Sequence, residues 1–361
     1  MTQTQHIFHI PRPNRIFQYT KARLHRPQIK RETVDHVLSY YGLKLMKPPC
    51  NLPFGRRNSI VVVYTNSGKK VLKLYKKNWQ VPAIQFEHSI LSRLAQLDFA
   101  APRLVPALHN ETFVGIGSQY YAVFDYVDGT VFSSCFMARS QRLKLQALAG
   151  KTLAQFHRLL EGYLPQGRHH LGFKSYSDDR WRDLAWHITT ISNIVEKSRA
   201  WTRPEDQTHL DWLVARKNYL EDSLYQLEES LKDAPLPRLV IHGDYGIHNL
   251  QFHRNGKVIV HDFELARLEW RLVDLVIVLS RLSPDRSQSF MTGYLADYAL
   301  TVEEWDLLPQ VWQLYKLQGA IQYWHTFFEI GGRRRLIGAR QRINQADWAI
   351  KHKAQLLKLK A

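Results

Sequence analysis

The first legible pattern in the chain is alternation. Residues 60–64 and 71–75 are two β-rich runs, and the segment between them carries Asn66 and Gly68 as turn formers, so the spacing predicts a hairpin with its loop over 65–70. The period then changes. Ile84, Ile90, Leu91, Leu94 and Leu97 fall at helical spacing, and Pro102 and Pro106 bound the loop that follows. A further strand is predicted over 120–127, ending at the turn signal Asp128-Gly129. Beyond Gly129 helical periodicity dominates. Residues 143–160 read as one helix, and two long helical patterns follow between 178 and 232, the second marked by Leu210, Leu213, Leu220, Leu224, Leu227 and Leu231. Pro235 and Pro237 stop that pattern before a short strand at 238–241, and the runs 250–253 and 258–260 flank a turn at Asn255-Gly256. Helices resume from Val273. The class is therefore α+β, with a small β-rich part followed by a larger, mainly helical one.

Composition narrows the class. The chain has 361 residues, 45% hydrophobic and 12% aromatic, enough to bury a large core. Its longest apolar stretches, such as 273–279, fall far short of the ~20 residues a membrane-spanning helix needs, so a soluble or at most peripheral protein is expected. Two cysteines, Cys50 and Cys135, are too few for a disulfide framework and point to a reducing, cytoplasmic setting. Arg12, Arg15, Lys21 and Arg23 break up any apolar core of an export signal. The net charge of +18 suggests nucleic acid until it is located: residues 1–31 hold seven Lys/Arg and no acid, residues 331–361 hold nine and only Asp347, and the rest of the chain carries just +3. The body thus reads as an ordinary enzyme, nucleic acid is not expected as a partner, and the basic ends are left as packing segments or contacts for an anionic surface.

The chemistry lies between Val240 and Asp274. Asp244 is followed by Asn249 five residues later and by Asp262 thirteen after that, each beside an apolar strand-like run that can aim it. Phosphoryl transfer calls for this set, because its transition state spreads negative charge over oxygens and the protein supplies positioning and cations. One carboxylate, Asp244, would face an acceptor hydroxyl. The Asn249 amide and the Asp262 carboxylate are oxygen donors suited to magnesium. Taken singly, Asp244 and Asn249 are also good turn formers, Asp262 a good cap, and Lys73 an ordinary strand lysine.

His242-Gly243-Asp244 with Asn249, followed by Asp262-Phe263-Glu264, resembles the catalytic and metal-binding loops of aminoglycoside phosphotransferases and choline kinases, a superfamily with the protein-kinase fold; homoserine-kinase-like and spore-coat-kinase-like members are similar too. The resemblance implies a bilobal protein-kinase-like α+β fold: a basic extension over 1–31, an N-lobe over 32–128, a C-lobe over 129–330 with a helical insert near 161–236, and a basic C-terminal helix over 331–361. It makes Lys73 the phosphate-binding lysine, Glu87 its helix partner, and Asp125 and Val127 the backbone contacts to adenine. It makes His242 a brace for the loop and Asp274 a buried carboxylate that ties the loop to a helix. The activity implied is ATP- and Mg2+-dependent transfer of the γ-phosphoryl group to a hydroxyl of a small molecule, with Asp244, Asn249 and Asp262 as catalytic residues. A binding-only relative is the alternative. Two departures stand out. Residues 53–59 hold one glycine and no GxGxxG, and Asp274 follows Asp262 by only twelve residues, too few for the segment on which a protein kinase lays its peptide. For the acceptor, the ten tryptophans, among them Trp181, Trp186, Trp201 and Trp212 in the insert and Trp305, Trp312 and Trp324 further on, offer a π-surface that a cation could use, but most are expected in the core. The acidic pairs at 178–179, 221–222, 228–229 and 303–304 read equally well as solvated helix charge.

Overall fold

Seven-residue β-branched and apolar runs set the first layer. In the computed structural model, which describes residues 29–51, 59–75, 79–128, 130–131, 138–169, 183–253 and 256–360, strands β1 (Cys50–Asn51), β2 (Ser59–Thr65), β3 (Gly68–Leu74), β4 (Val114–Ile116) and β5 (Gln119–Asp125) form an antiparallel sheet in the order β1-β2-β3-β5-β4. Helix α1 (Arg31–Ser39) covers one face: Val34, Val37 and Leu38 pack with Val61, Val63, Leu72, Leu74, Tyr121 and Val123. Alternation sends the intervening residues to the other face, where helix α2 (Val81–Gln96) lies. Among the described residues, 29–142, 164–169 and 247–264 make one compact unit, and 143–163, 183–246 and 265–360 a second. The first unit also holds a three-stranded sheet in the order β6-β8-β9, built from β6 (Thr130–Val131), β8 (Leu250–Phe252) and β9 (Val258–Val260).

The second unit is helical apart from one strand pair, β7 (Arg238–Ile241) with β10 (Arg267–Trp270). Its helices are α3 (Arg139–Leu159), α4 (Leu184–Arg199), α5 (Pro204–Val214), α6 (Lys217–Leu231), α7 (Arg271–Leu279), α8 (Pro284–Asp297), α9 (Val302–Ile330), α10 (Arg334–Lys351) and α11 (Lys353–Leu357). The long α9 packs against α4, α6, α7 and α10 through Trp305, Leu308, Trp312, Leu317, Ile321 and Trp324, all buried. Its start is fixed by a capping box, in which Thr301 and Glu304 each accept from the other's backbone N–H. Helices α3 and α8 cross at backbone contact, since a Cβ on Gly150 would fall 1.9 Å from the Phe290 carbonyl and one on Gly293 1.8 Å from that of Ala147. Among the described residues no helix is long and apolar enough to cross a membrane.

Several expectations change in detail. The first hairpin turns on Asn66 and Ser67 alone, with Thr65 pairing Gly68, because the Thr65 hydroxyl accepts from Ser67 and donates to the Gly68 carbonyl; residues 69 and 70 are strand. The strand expected to reach Val127 ends at Asp125. The leucine pattern expected as one helix is two, α5 and α6. Strand β10 was not expected at all. The basic C-terminal stretch is a packing helix: Leu336, Ala339, Ile343, Ala346 and Ala349 are buried, Asp347 accepts from the Tyr219 hydroxyl, and Arg333 pairs Asp206 at 3.1 Å. Readings that fall on residues 1–28, on the loop before Ser59, and on Gly129, Cys135, Asp178, Asp179, Trp181 and Asn255 lie outside the described residues.

A buried polar chain locks α2 to the sheet. The Tyr75 hydroxyl donates to Glu87 at 3.0 Å and lies 2.8 Å from His88 Nε2, whose other ring nitrogen is 2.8 Å from the Thr112 hydroxyl. Burial, with the nearby Lys73 charge, lowers His88 from 6.5 to about 3. A neutral ring donating through Nε2 and accepting through Nδ1 completes the chain. The folded protein therefore refuses a proton that the unfolded chain accepts below pH 6.5, so this group's contribution is full above that pH and is lost as pH falls towards about 3. Denaturant titrations of wild type and His88→Asn should show the variant with the shallower acid limb, by up to about 1.4 kcal/mol per pH unit. Equal slopes from pH 6.5 downward would contradict the assignment.

Candidate active site

Within the first unit, Lys73 sits between Leu72 and Leu74, both in the core under α1, so the strand period turns its side chain towards α2. Its Nζ is 2.8 and 3.1 Å from the two Glu87 oxygens and 3.3 Å from Glu264 Oε1. Lys73 is 7% and Glu87 4% exposed. Burial pushes the ammonium pKa down, but Glu87, Tyr75 and Glu264 more than offset this and leave it well above its usual value, so Lys73 is charged. The expected Lys73–Glu87 partnership is formed, and Glu264 joins it.

Asn249 and Asp262 leave the same end of the β8–β9 hairpin. The ladder pairs Leu250 with Val260, and one step beyond it the His261 N–H donates to the Asn249 carbonyl at 2.9 Å. Asn249 closes a 3-10 turn over Ile247–Asn249. Asp262 is exposed and sits at φ 64, a left-handed conformation that Asp tolerates better than most residues and that concentrates at functional sites. Phe263, next along, is buried and anchors it. Among the described residues no group of three or more His, Cys, Asp or Glu gathers as a metal cage. An amide and a carboxylate at one hairpin end suit a magnesium ion that keeps water and phosphate oxygens as its remaining ligands.

Asp125 ends β5. Its carboxylate takes Lys70 at 2.6 Å, its N–H donates to the Arg103 carbonyl at 2.9 Å, and the Tyr126 N–H donates to Lys69 at 3.3 Å. The Asp125 N–H is thus already used, leaving its carbonyl and the chain at Val127, beyond the strand, as the backbone groups to consider for a base.

In the second unit the loop after β7 is held from below by Asp274 on α7. The fully buried carboxylate accepts from the N–H of His242 at 2.7 Å and of Gly243 at 2.8 Å, and His157 Nε2 on α3 lies at 3.2 Å. Burial pushes Asp274 up, yet the hydrogen bonds from His157 and from the His242 backbone N–H bring it below its ordinary value. Burial also lowers His157, so a neutral ring donates through Nε2 and accepts from the Tyr294 hydroxyl, 2.9 Å from Nδ1. Gly243 is at φ 76, and a Cβ there would fall 2.1 Å from the Leu265 carbonyl, so the loop needs glycine to pass under β10. His242 is buried and its Nδ1 accepts the Asp244 N–H at 3.3 Å, which turns Asp244 outward. The Asp244 carboxylate meets Arg281 Nη2 at 3.1 Å.

Three participants were not foreseen: Glu264, His157 and Arg281. Glu264 had a signal, since it is the third residue of Asp-Phe-Glu and lies two places from Asp262. His157 had a weaker one, as a histidine in the apolar stripe of α3 between Leu153 and Leu160. Arg281 had none, because nothing local distinguishes it from other arginines. Among the tryptophans, Trp305, Trp312 and Trp324 are core residues, whereas Trp186, Trp201 and Trp212 are only half-buried, the indole of Trp212 being covered by Arg216 and Arg340.

The profile of the phosphotransferase enzyme family matches residues 51–309. A homoserine kinase of Rhodospirillum rubrum is 23% identical over 243 residues, 67% of each chain. An amicoumacin kinase in complex with AMP-PNP, Ca2+ and Ami superposes with a TM-score of 0.63 at 14% identity, over 88% of this chain and 94% of its own. An aminoglycoside phosphotransferase from Alicyclobacillus acidocaldarius does so at 0.63 and 17% identity, over 93% and 98%. These structural likenesses define a bilobal kinase-like α+β fold. The family profile runs from β1 into α9 and takes in Lys73, Glu87, Asp244, Asn249 and Asp262, and the chain belongs to the phosphotransferase enzyme family.

Proposed function

We propose that this kinase uses ATP and magnesium to phosphorylate a hydroxyl of a small molecule. The observation that carries the reading is the buried ion pair of Lys73 with Glu87 at 2.8 Å. A buried pair is on average no more stabilising than apolar residues of the same volume, and replacing one is often neutral or favourable by about 1–4 kcal/mol. A lysine in the interior of a sheet that has Leu72 and Leu74 beside it is therefore better explained by what its charge binds than by stability. The nucleotide phosphates are the ligand that suits it, with Glu87 fixing the ammonium and Glu264 adding a second support. The AMP-PNP in the amicoumacin kinase complex supports a nucleotide donor, and the names of the relatives support small acceptors.

The geometry supports the following roles. Asn249 and Asp262 would hold magnesium, which supplies neutralising charge to the phosphate oxygens when bound. Asp244, aimed outward by the His242 brace, orients the acceptor hydroxyl and receives its proton as the oxygen bonds to the γ-phosphorus. The bond from that phosphorus to the bridging oxygen breaks, and ADP leaves. Asp125 through its carbonyl and Val127 through its backbone would receive adenine. The twelve residues from Asp262 to Asp274 leave little room for a peptide platform, in keeping with a small acceptor.

Asp262→Ala and Asn249→Ala should each lower magnesium-dependent turnover by roughly 10²–10⁴-fold, and Asp244→Ala by a similar factor with nucleotide affinity held within about threefold. Steady-state kinetics and nucleotide titration measure both, and wild-type rates in any of the three would defeat the assignment. Lys73→Met should strand two buried carboxylates and cost about 3–5 kcal/mol of stability as well as activity. Lys73→Met combined with Glu87→Leu should regain much of the stability and none of the turnover. Recovery of turnover in that double variant would reduce the pair to a structural element.

A further inference from the structure

Asp244 does not stand among neutral neighbours. Arg281, the residue after the Ser280 cap of α7, reaches its carboxylate at 3.1 Å with about half of its own side chain exposed. Lys316 of α9, only 6% exposed, donates to the Ser280 hydroxyl at 2.7 Å. Arg342 of α10 lies one turn along α9 from Lys316: a Cβ on Gly319 would be 3.0 Å from its Nε, and its guanidinium sits 3.7 Å over the Tyr323 ring. The half-buried Tyr315 of α9 feels the charges of Arg267, Arg281 and Arg342 and that of Asp244. Arg267 is matched by Glu269, 3.9 Å away. Among the described residues no carboxylate pairs with Lys316 or Arg342, and the acid that Arg281 reaches is Asp244.

The surplus calls for an explanation. The C-terminus of α7 offers the equivalent of about half a negative charge, which suits one cation and not three. Burial, then Arg342 and Arg281, push Lys316 down to about 7, the direction expected for a buried ammonium beside other cations. Such a cluster is favourable when a ligand brings the missing anion, and guanidinium forks with an ammonium are the usual receptors for carboxylate and phosphate.

From this arrangement we infer that the acceptor is anionic: a small hydroxyl compound with a carboxylate or phosphate a few bonds from the reacting oxygen, gripped by Arg281 with Lys316 and Arg342 behind it. The inference rests on the assignment of Asp244 as the residue that orients the acceptor hydroxyl. Amino alcohols, choline-like cations and aminoglycosides would meet repulsion at this point.

The test is a matched acceptor panel with the full chain and Mg·ATP, following ADP release and the mass of the product. D-glycerate is paired with glyceramide, glycerol 3-phosphate with glycerol, and ethanolamine, choline and kanamycin form the cationic arm. At least one anionic member should exceed its neutral partner by about tenfold or more in kcat/KM, and the carboxylate and phosphate arms separate the two anions. Arg281→Gln should raise the KM for that acceptor by about 10- to 100-fold, with the KM for ATP within about twofold. Arg281→Lys should fall between, and Arg342→Gln should act in the same sense, which guards against misfolding of one variant. Turnover confined to amines, neutral partners as good as anions, no anionic member phosphorylated, or an unchanged acceptor KM in both Arg281→Gln and Arg342→Gln would overturn the inference. The underlying reading is tested separately. If Asp244→Asn turns over the best acceptor at the wild-type rate, that reading fails; if Asp244→Asn is inactive and the best acceptor is a cation, only the anionic assignment fails.

Discussion

An ionised carboxylate taken out of water must have its oxygens filled by donors, and the donors are then held in turn. Each unit is organised around one such group. In the helical unit it is Asp274, whose oxygens take the two successive N–H groups of His242 and Gly243 and the ring of His157. In the sheet unit it is Glu87, which takes Lys73 and the Tyr75 hydroxyl. The loop after β7 cannot shift without unsatisfying Asp274, nor can Lys73 swing without exposing Glu87 to the same penalty. Rigidity at both places is a consequence of burial, and the outward-facing Asp244 and exposed Asp262 are supported by it.

Glycine and left-handed backbone complete that support. Gly243 lets the loop run against the Leu265 carbonyl, while Asp262 leaves its hairpin at φ 64 with Phe263 buried beside it. Neither conformation is the least strained available to the chain. Both serve to present an oxygen-bearing side chain at the end of a strand, where a short, strongly paired element fixes direction better than a long loop could. Helix α3 contributes in a similar way, since its contact with α8 at Gly150 and Gly293 brings His157 and Tyr294 to the underside of the loop.

Local pattern exposed a good part of this. The strands around Lys73, the helix carrying Glu87 and the polar set at 244, 249 and 262 are legible because each depends on a short-range period or spacing. What escaped is non-local or phase-preserving. Leu213 and Leu220 are seven residues apart, so the break at Ala215 and Arg216 leaves the leucine stripe in register and invisible to a periodicity argument. Strand β10 exists because β7, some thirty residues earlier, offers it a partner. Helix α1 is only nine residues long and spaces its apolar Val34, Val37 and Leu38 among Glu32, Asp35 and His36, directly after the basic stretch. The pairing of Glu264 with Lys73 and of Arg281 with Asp244 joins residues brought together only by the fold, and spacing alone does not report such pairs.

We propose that Asn249 and Asp262 together ligate the metal that accompanies the nucleotide. Electron paramagnetic resonance titration of Mn2+ into the chain saturated with AMP-PNP measures this without turnover. The expected result is a tight ternary site in wild type that weakens by about 10-fold or more in Asp262→Ala and again in the double variant with Asn249→Ala, while nucleotide remains bound. Mn2+ affinity unchanged by loss of both side chains would contradict it.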